Sequence, residues 1–478
     1  MQEILIGGNE ETQIIMNAAM GNRHGMISGA TGTGKTVTLQ ILAEGYSRLG
    51  VPVFMADIKG DLSGIAKQGK AHDKITERIA SIKIDDFQFR ANPTVFWDIF
   101  AQNGHPVRTT ISDMGPLLLS HLLELNDTQS GILYSCFKIA DDQGMLLLDL
   151  KDLRSMLNWM ADNAKALKSD YGNISSASVG AIQRRLLVLE EQGAHHFFGE
   201  PAIQIDDFCR TDFSGNGIIS ILDATDLTSK SPRLYAAFLL WLLSDLFETL
   251  AEVGDADHPK HVLFFDEAHL LFDRAPRVLI DKIEQIVRLI RSKGVGVYFI
   301  SQSPLDIPED ILGQLGLKIQ HALRAYTPKD RKTIKAVAET FRSNPKLDTE
   351  TIIKELKTGE ALVSILNADG SPTPVERVLI RPPESRIGAL STVERTEIIA
   401  RSPYKNRYDQ SIDRESAYEM LKQKAEQMAA QPKEPKTRRS GRQSAGEALL
   451  KSAARSIGSQ IGRQIVRGIM GSLFGGRR

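Results

Sequence analysis

The segment Gly29-Ala30-Thr31-Gly32-Thr33-Gly34-Lys35-Thr36 lies between a short apolar run, residues 24–28, and a run with helical periodicity, residues 37–49. It satisfies the pattern G-x-x-x-x-G-K-[ST], whose glycines let main-chain N–H groups turn inward around a phosphate. The N-terminus of the helix that follows adds a field that favours an anion. We expect Lys35 to reach the β- and γ-phosphates and the Thr36 hydroxyl to ligate Mg²⁺. The segment therefore predicts a phosphate-binding loop for ATP and Mg²⁺.

The segments around this loop predict a mostly parallel sheet. Runs that are apolar on both faces occur at residues 24–28, 51–57, 217–223, 261–267, 294–301 and 316–323. Such runs are typical of strands that are covered on both sides by helices. The clearest intervening helix is residues 276–293, which has apolar residues at helical spacing and ends at Gly294. The pattern predicts an α/β fold, and residues 361–366 and 375–380 add a terminal hairpin.

Five segments differ in pattern and predict the domain organisation. Between Asp98 and Asp212 the strand pattern gives way to helical periodicity, which predicts an α-helical insert in the sheet domain. The predicted segments are a first part of the ATPase core at 1–98, the helical insert at 99–211, a second part of the core at 212–382, a charged helix and linker at 383–444, and a basic amphipathic tail at 445–478.

Two adjacent acids, Asp266 and Glu267, end the apolar run at residues 261–267. Many strands end in an acid before a helix, so an acid pair alone is weak evidence for catalysis. A phosphate-binding loop in the same sheet strengthens it, because Asp266 would then hold Mg²⁺ while Glu267 orients and deprotonates the attacking water. We therefore predict that this pair forms the second half of the ATP site.

Two further strand ends are candidates for the same site. Gln302 follows the run at 294–301, and a neutral amide there would sense the γ-phosphate or position water; the alternative is a turn residue that satisfies main-chain groups. Residues 57–61, Asp-Ile-Lys-Gly-Asp, follow the second strand, where open parallel sheets gather ligand-facing residues. Asp57 would orient water or couple to Lys59, and a plain charged turn is almost equally compatible with the sequence.

Composition excludes several classes of protein. The chain has 478 residues, of which 42% are hydrophobic and 25% are charged, so neither general disorder nor a fibrous repeat fits. Cys136 and Cys209 lack metal-binding spacing, which argues against a disulfide framework and a cysteine-bound zinc ion. No basic leader precedes an apolar core, and no apolar run approaches the length of a transmembrane segment. The cysteine usage fits a reducing compartment, so we expect a cytoplasmic location.

Charge is distributed unevenly, although 59 basic and 59 acidic residues balance overall. Residues 431–478 contain eleven Lys or Arg residues and two acids. From Leu450, apolar residues recur every four positions, and basic residues form a stripe offset by two, which predicts an amphipathic helix. Such a tail would bind nucleic acid, an anionic membrane or a protein partner, or would pack on its own assembly with a solvated basic face.

The order GATGTGKT, DIKGDL, VLFFDEAH and YFISQSP resembles that of the HerA and FtsK group of RecA-like P-loop ATPases, most closely the stand-alone bacterial HerA-like proteins of the YjgR type. The resemblance spans roughly residues 25–380. It implies a hexameric ring that hydrolyses ATP between subunits and, in the better-known members, pumps duplex DNA or a polypeptide. It also implies that Lys35 and Thr36 bind nucleotide and Mg²⁺, that Asp266 and Glu267 form the acid pair, and that Gln302 is the sensor glutamine.

Hydrolysis at a subunit interface implies an arginine from the neighbouring subunit that neutralises charge in the transition state. Arg291, Arg324 and Arg331 are the candidates by position, and we prefer Arg324, which follows the strand at 316–323. The resemblance departs from full-length HerA in one respect: 28 residues precede Gly29, so we expect no β-barrel domain ahead of the loop.

Two functions fit these features. The first is an ATP-hydrolysing motor, a homohexameric DNA translocase or helicase-like ATPase. The second is a nucleotide-dependent interaction switch that uses the same site and binds a protein partner through the tail without translocation. A small-molecule kinase fits less well, because Glu267 beside Asp266 suits the activation of water.

Overall fold

The computed structural model describes residues 2–254, 256–274 and 277–430. The predicted basic tail at 445–478 and the end of the predicted linker therefore lie outside the described residues. The described chain divides into a sheet unit, residues 2–107 with Ile203–Gln410, and a helical unit, Arg108–Ala202 with residues 411–430.

The strands in chain order are β1 (Glu3–Gly8), β2 (Gln13–Asn17), β3 (Gly25–Ser28), β4 (Val53–Asp57), β5 (Thr94–Asp98), β6 (His105–Pro106), β7 (Ile219–Asp223), β8 (His261–Phe265), β9 (Val295–Ser301), β10 (Leu317–Gln320), β11 (Glu360–Ser364) and β12 (Glu376–Ile380). The helices are α1 (Lys35–Arg48), α2 (Asp73–Ile82), α3 (Ile111–Leu122), α4 (Asp127–Gln143), α5 (Leu150–Asp162), α6 (Ala164–Tyr171), α7 (Ser176–Glu191), α8 (Thr225–Lys230), α9 (Pro232–Thr249), α10 (His269–Arg274), α11 (Arg277–Ile290), α12 (Glu309–Leu312), α13 (Pro328–Glu339), α14 (Thr349–Glu355), α15 (Thr392–Ala400) and α16 (Ala417–Ala430).

The twelve strands of the described residues belong to one sheet, in the order β2-β1-β12-β11-β10-β3-β9-β8-β4-β7-β5-β6. The pairings from β10 to β6 are all parallel. Strands β11, β12, β1 and β2 extend this sheet with antiparallel pairings. The predicted α/β fold with a mostly parallel sheet is therefore confirmed. Because parallel strands end at the same edge, the segments that follow β3, β9, β8 and β4 come together there.

Every strand predicted from an apolar run is present, and β11 and β12 form the predicted hairpin with antiparallel register. The helix expected at 276–293 is α11, followed by a 3-10 turn at Arg291–Lys293 and by Gly294 with φ of +73°. Strands β1, β2, β5 and β6 were not predicted. They extend both margins of the sheet, so the error lies at its edges and not at its centre.

Alternate residues of the central strands pack against helices on opposite faces of the sheet, as the period of two requires. On one face, Met55 of β4 and Phe264 of β8 share a buried core with Leu42 of α1. On the other face, the ring of Phe54 lies 6.1 Å from that of Phe238 on α9, between ring centroids. This double covering explains why the central strands are continuously apolar in sequence.

The helical unit contains α3 to α7 and α16. The carboxylate of Asp152 on α5 accepts hydrogen bonds from Ser416 Oγ at 2.5 Å and from Tyr418 N at 3.0 Å, and so fixes the start of α16. The domain limits expected from the sequence stay a prediction. Across the described parts of the chain, no helix combines the length and apolar character needed to cross a membrane.

Candidate nucleotide-binding site

The predicted phosphate loop connects β3 to α1, and its main chain adopts conformations that favour glycine. Gly29, Gly32 and Gly34 have φ values of +150°, +77° and +119°. Side chains with a Cβ rarely occupy this region, because the Cβ crowds the neighbouring main chain. Helix α1 begins at Lys35 and is 14 residues long. The loop therefore has the shape and the helix N-terminus that a phosphate site requires.

His321, which follows β10, forms hydrogen bonds next to the phosphate loop. Its Nε2 lies 2.8 Å from Thr38 Oγ1 on α1, and its Nδ1 lies 3.0 Å from the carbonyl oxygen of Glu360. Burial lowers the pKa of His321 to about 4, so the ring is neutral at pH 7. A carbonyl oxygen only accepts, so Nδ1 carries the proton and Nε2 accepts from the threonine. The histidine thereby joins the first turn of α1 to β11.

Lys35 occupies the hollow of the loop. Its ammonium donates to the carbonyl oxygens of Gly29 at 2.6 Å and Ala30 at 3.2 Å, and the residue is 5% exposed. Burial, together with the positive charge of Lys59, lowers the pKa of Lys35. The carboxylates of Glu267 and Asp266 act in the opposite direction, which shows that the lysine lies within electrostatic range of the acid pair.

The acid pair follows β8 directly, as predicted. Asp266 is 4% exposed, and burial raises its pKa to about 6. Glu267 is 5% exposed and has φ of +45°, an unusual conformation for a residue with a side chain. Strained main chain of this kind occurs where a surrounding structure holds a functional side chain in place. Glu267 Oε2 also lies 3.2 Å from His269 Nδ1.

The segment after β4 contributes residues to which the sequence assigned no firm role. Lys59 Nζ forms an ion pair with Glu267 Oε1 on the neighbouring strand end. Asp57, in contrast, accepts from the main-chain N–H groups of Gly60 at 2.7 Å and Leu62 at 3.1 Å, so it shapes the turn and does not pair with Lys59. Burial and the charge of Asp61 raise the pKa of Asp57 to about 7.

The oxygen atoms near Thr36 fit a hard divalent cation. Thr36 Oγ1 donates to Asp61 Oδ2 at 3.5 Å. Within the described residues, Asp61 Oδ1 and Asp266 Oδ2 are buried without a hydrogen-bond partner. A buried carboxylate oxygen without a partner is costly unless a cation or another group satisfies it, and Mg²⁺ prefers oxygen ligands. The donor set therefore matches the Mg²⁺ site that the sequence predicted at Thr36 and Asp266.

Gln302 and Arg324 occupy different places relative to this site. Gln302 follows β9, which lies between the loop strand β3 and the acid strand β8, and its side chain is exposed. Arg324 is exposed in the segment after β10, where its guanidinium donates to the carbonyl oxygens of Lys354 at 2.7 Å and Leu356 at 3.3 Å. The fold thus brings Gln302 to the edge that carries Lys35 and the acid pair, and directs Arg324 towards the end of α14.

The loop between β3 and α1, the acid pair after β8 and the strand order β10-β3-β9-β8-β4 define the class of RecA-like P-loop ATPases. The chain belongs to the family described as Helicase HerA-like C-terminal, whose model matches residues 2–440 and 426–478. The resemblance to the HerA and FtsK group is confirmed by this match.

One relative is the DNA double-strand break repair helicase HerA of Sulfolobus acidocaldarius, which is 22% identical over 368 residues. The alignment covers 75% of this chain and 65% of the relative, so the chain spans less than two thirds of that protein. The fold is similar to that of the bacterial conjugative coupling protein TrwBdeltaN70, with a TM-score of 0.51, 16% identity and coverage of 82% of this chain and 91% of that one. The plasmid coupling protein TrwB in complex with the non-hydrolysable GTP analogue GDPNP also has a TM-score of 0.51, with 15% identity and coverage of 81% and 91%.

Proposed function

We propose that the chain is an ATP-hydrolysing motor of the HerA type that acts on duplex DNA as a homohexamer. The observation that carries this proposal is the convergence of the phosphate loop and the acid pair at one edge of the sheet. The electrostatic influence of Asp266 and Glu267 on Lys35 supports a single site formed by all three. The GTP analogue bound to TrwB supports a nucleoside triphosphate at the loop, and the repair-helicase name of the Sulfolobus relative supports DNA as the substrate.

Each residue of the site has a proposed role. The main-chain N–H groups of residues 29–36 surround the phosphates, and Lys35 moves from the carbonyl oxygens of its own loop onto the β- and γ-phosphates. Thr36 and Asp266 would hold Mg²⁺, which would supply positive charge next to the phosphate oxygens. Glu267 orients and deprotonates the attacking water, and Gln302 positions that water or contacts the γ-phosphate.

Arg324 is proposed to act on the site of a neighbouring subunit. Its guanidinium is exposed and anchored by two carbonyl oxygens, and among the described residues no carboxylate forms an ion pair with it. An arginine supplied in trans accelerates phosphoryl transfer by about 10³-fold or more. Arg324→Ala should therefore lower kcat strongly and leave the Kd for ATP unchanged. If Arg324 acted within its own subunit, its effect on turnover would not require a neighbouring subunit.

ATP turnover by the purified, sized assembly tests the proposal. Wild-type protein should hydrolyse ATP faster when duplex DNA is added, and the stimulation should fall as salt is raised, because phosphate contacts release counterions. Lys35→Ala should abolish turnover, and removal of residues 431–478 should weaken the stimulation by DNA. The alternative result is that turnover is unchanged by every nucleic acid while the tail is still required to bind a protein partner. That result would support the nucleotide-dependent interaction switch.

A further inference from the structure

The ion pair between Lys59 and Glu267 joins the ends of neighbouring strands β4 and β8. The side chain of Glu267 is 6% exposed, and the main chain of this residue has φ of +45°, so the surrounding structure fixes its position. The lysine side chain is 36% exposed and precedes Gly60, which has φ of +75°. Lysine also has a long and flexible stem with three donors. Of the two partners, therefore, Lys59 is the one that can move without disturbing the core.

Lys59 and Lys35 share the same carboxylates. The charges of Asp266 and Glu267 act on both ammonium groups, and the positive charge of Lys59 lowers the pKa of Lys35. Although burial alone would lower the pKa of Lys59, its hydrogen bond to Glu267 and the charges of Asp266 and Glu267 raise it. Through its ion pair with Glu267, Lys59 is a second cation in the nucleotide site. The established P-loop motif requires only the first.

The position of Lys59 relative to Glu267 indicates which phosphate it would meet. In the proposed function Glu267 faces the water that attacks the γ-phosphate, so a cation paired with Glu267 lies on the γ side of the site. A triphosphate also brings several negative charges to Asp61, Asp266 and Glu267, the carboxylates that act on Lys59. A flexible cation on that side is stabilised more by the charge of the γ-phosphate than by the charge of a carboxylate that is already fixed.

We propose that Lys59 binds the γ-phosphate of ATP and leaves Glu267 when ATP enters, so that this exchange of partners both selects ATP over ADP and frees the Glu267 carboxylate for water. The inference rests on the proposed nucleotide site. It assigns a specificity-determining role to a residue that follows β4 and belongs to neither the phosphate loop nor the acid pair.

Equilibrium binding of a slowly hydrolysed ATP analogue and of ADP, each with Mg²⁺, tests the exchange without relying on turnover. Lys59→Met should weaken binding of the ATP analogue by about 10- to 100-fold, the range for loss of one charged hydrogen bond. Binding of ADP should be unchanged, because ADP lacks the group that Lys59 contacts. Lys59→Arg should retain most of the preference for the ATP analogue, since it keeps the charge and reach.

The matched control is Lys138→Met, which removes the lysine of an exposed ion pair with Asp142 on α4 and should change neither affinity. Equal weakening of both nucleotides by Lys59→Met would mean that the lysine only shapes the site, and unchanged affinities would mean that it does not contact phosphate; either result overturns the inference. Failure of the proposed nucleotide site is distinguishable, because wild-type protein would then bind neither nucleotide, and failure of the motor proposal alone would leave both affinities of wild-type protein intact. Should Lys59→Met fold poorly, the ratio of the two affinities in Lys59→Arg and Lys59→Gln decides between the outcomes.

Discussion

Gly29 lies directly against His321: a Cβ on the glycine would come within 2.5 Å of the histidine Cβ and 3.0 Å of Thr33 Oγ1. The phosphate loop therefore rests on the residue that also hydrogen-bonds the first turn of α1 through Thr38. The main chain at Gly29 lies so close to His321 that the space between them admits a hydrogen atom but no methyl group. The shape of the loop thus depends on β10 as well as on its own glycines.

Gly29→Ala should consequently destabilise the sheet unit and weaken nucleotide binding together. The substitution places a side chain at φ of +150°, and it adds the contact with His321. Strain and overpacking each cost about 1–3 kcal/mol. Gly32→Ala is the matched control, since its φ of +77° brings strain but no described atom lies within 4 Å of the added Cβ. The midpoint of urea denaturation should fall further for Gly29→Ala, and equal midpoints would contradict the close approach.

Glu267→Gln should separate ATP binding from ATP hydrolysis. The amide keeps the size of the side chain but cannot take a proton from water, so turnover should fall by about 10²-fold or more. Binding should persist, because Lys35 and residues 29–36 are unchanged. The measurement is kcat together with the amount of ATP that stays bound after rapid gel filtration. Glu397→Gln, at an exposed position on α15, should behave as wild type. Loss of ATP binding along with turnover would argue against a role for Glu267 as the base.

Asp61→Asn should raise the Mg²⁺ concentration that ATP binding requires. The carboxylate of Asp61 accepts from the Thr36 hydroxyl and carries a buried oxygen without a partner among the described residues. Groups that orient a metal ligand typically contribute 10- to 100-fold to metal affinity, so we expect a shift of about 10-fold or more. A titration of nucleotide binding against Mg²⁺ measures it. Asp369→Asn, in the exposed turn between β11 and β12, is the control, and the same titration curve for both variants would exclude Asp61 from the site.

The central strands of the sheet were predictable because the pattern that indicates each strand lies within its own segment of sequence. Strands β4, β8 and β9 are buried on both faces, so each forms an unbroken apolar run between polar ends. Strands β1 and β6 give no such pattern. Strand β1 ends in Gly7-Gly8, and β6 consists of two residues, His105 and Pro106. Their pairing depends on neighbours that are distant in sequence.

The same distinction applies to the site. The loop at residues 29–36 is a contiguous motif whose glycines reveal its backbone conformation, and the acids after β8 lie at a recognisable strand end. Lys59 and His321 are different, because their roles arise from the order of strands in the sheet: Lys59 meets Glu267 only because β4 lies beside β8, and His321 meets Thr38 only because β10 lies beside β3. The signal available in the sequence was that Lys59 follows a buried strand, which marks the edge but not the partner.

His261→Phe should change how stability depends on pH. His261 begins β8 and is fully buried, and among the described residues neither ring nitrogen has a hydrogen-bond partner. Burial lowers its pKa from 6.5 to about 3. As pH falls below 6.5, the His261 ring therefore binds a proton in the unfolded chain but not in the folded chain, and the folded state loses stability. Above pH 6.5 both states are neutral and the histidine adds no pH dependence.

Phenylalanine at this position removes the titrating group but keeps an aromatic ring of similar size. The free energy of unfolding of His261→Phe, relative to wild type, should thus increase by about 1.5 kcal/mol between pH 6.5 and pH 5, and should stay constant between pH 8 and pH 7. Urea denaturation at these pH values measures the difference. His195→Phe, at an exposed histidine outside β8, is the control for the substitution itself. A pH-independent difference for His261→Phe would show that His261 accepts a proton in the folded state, so that β8 must admit water or a charge at its first residue.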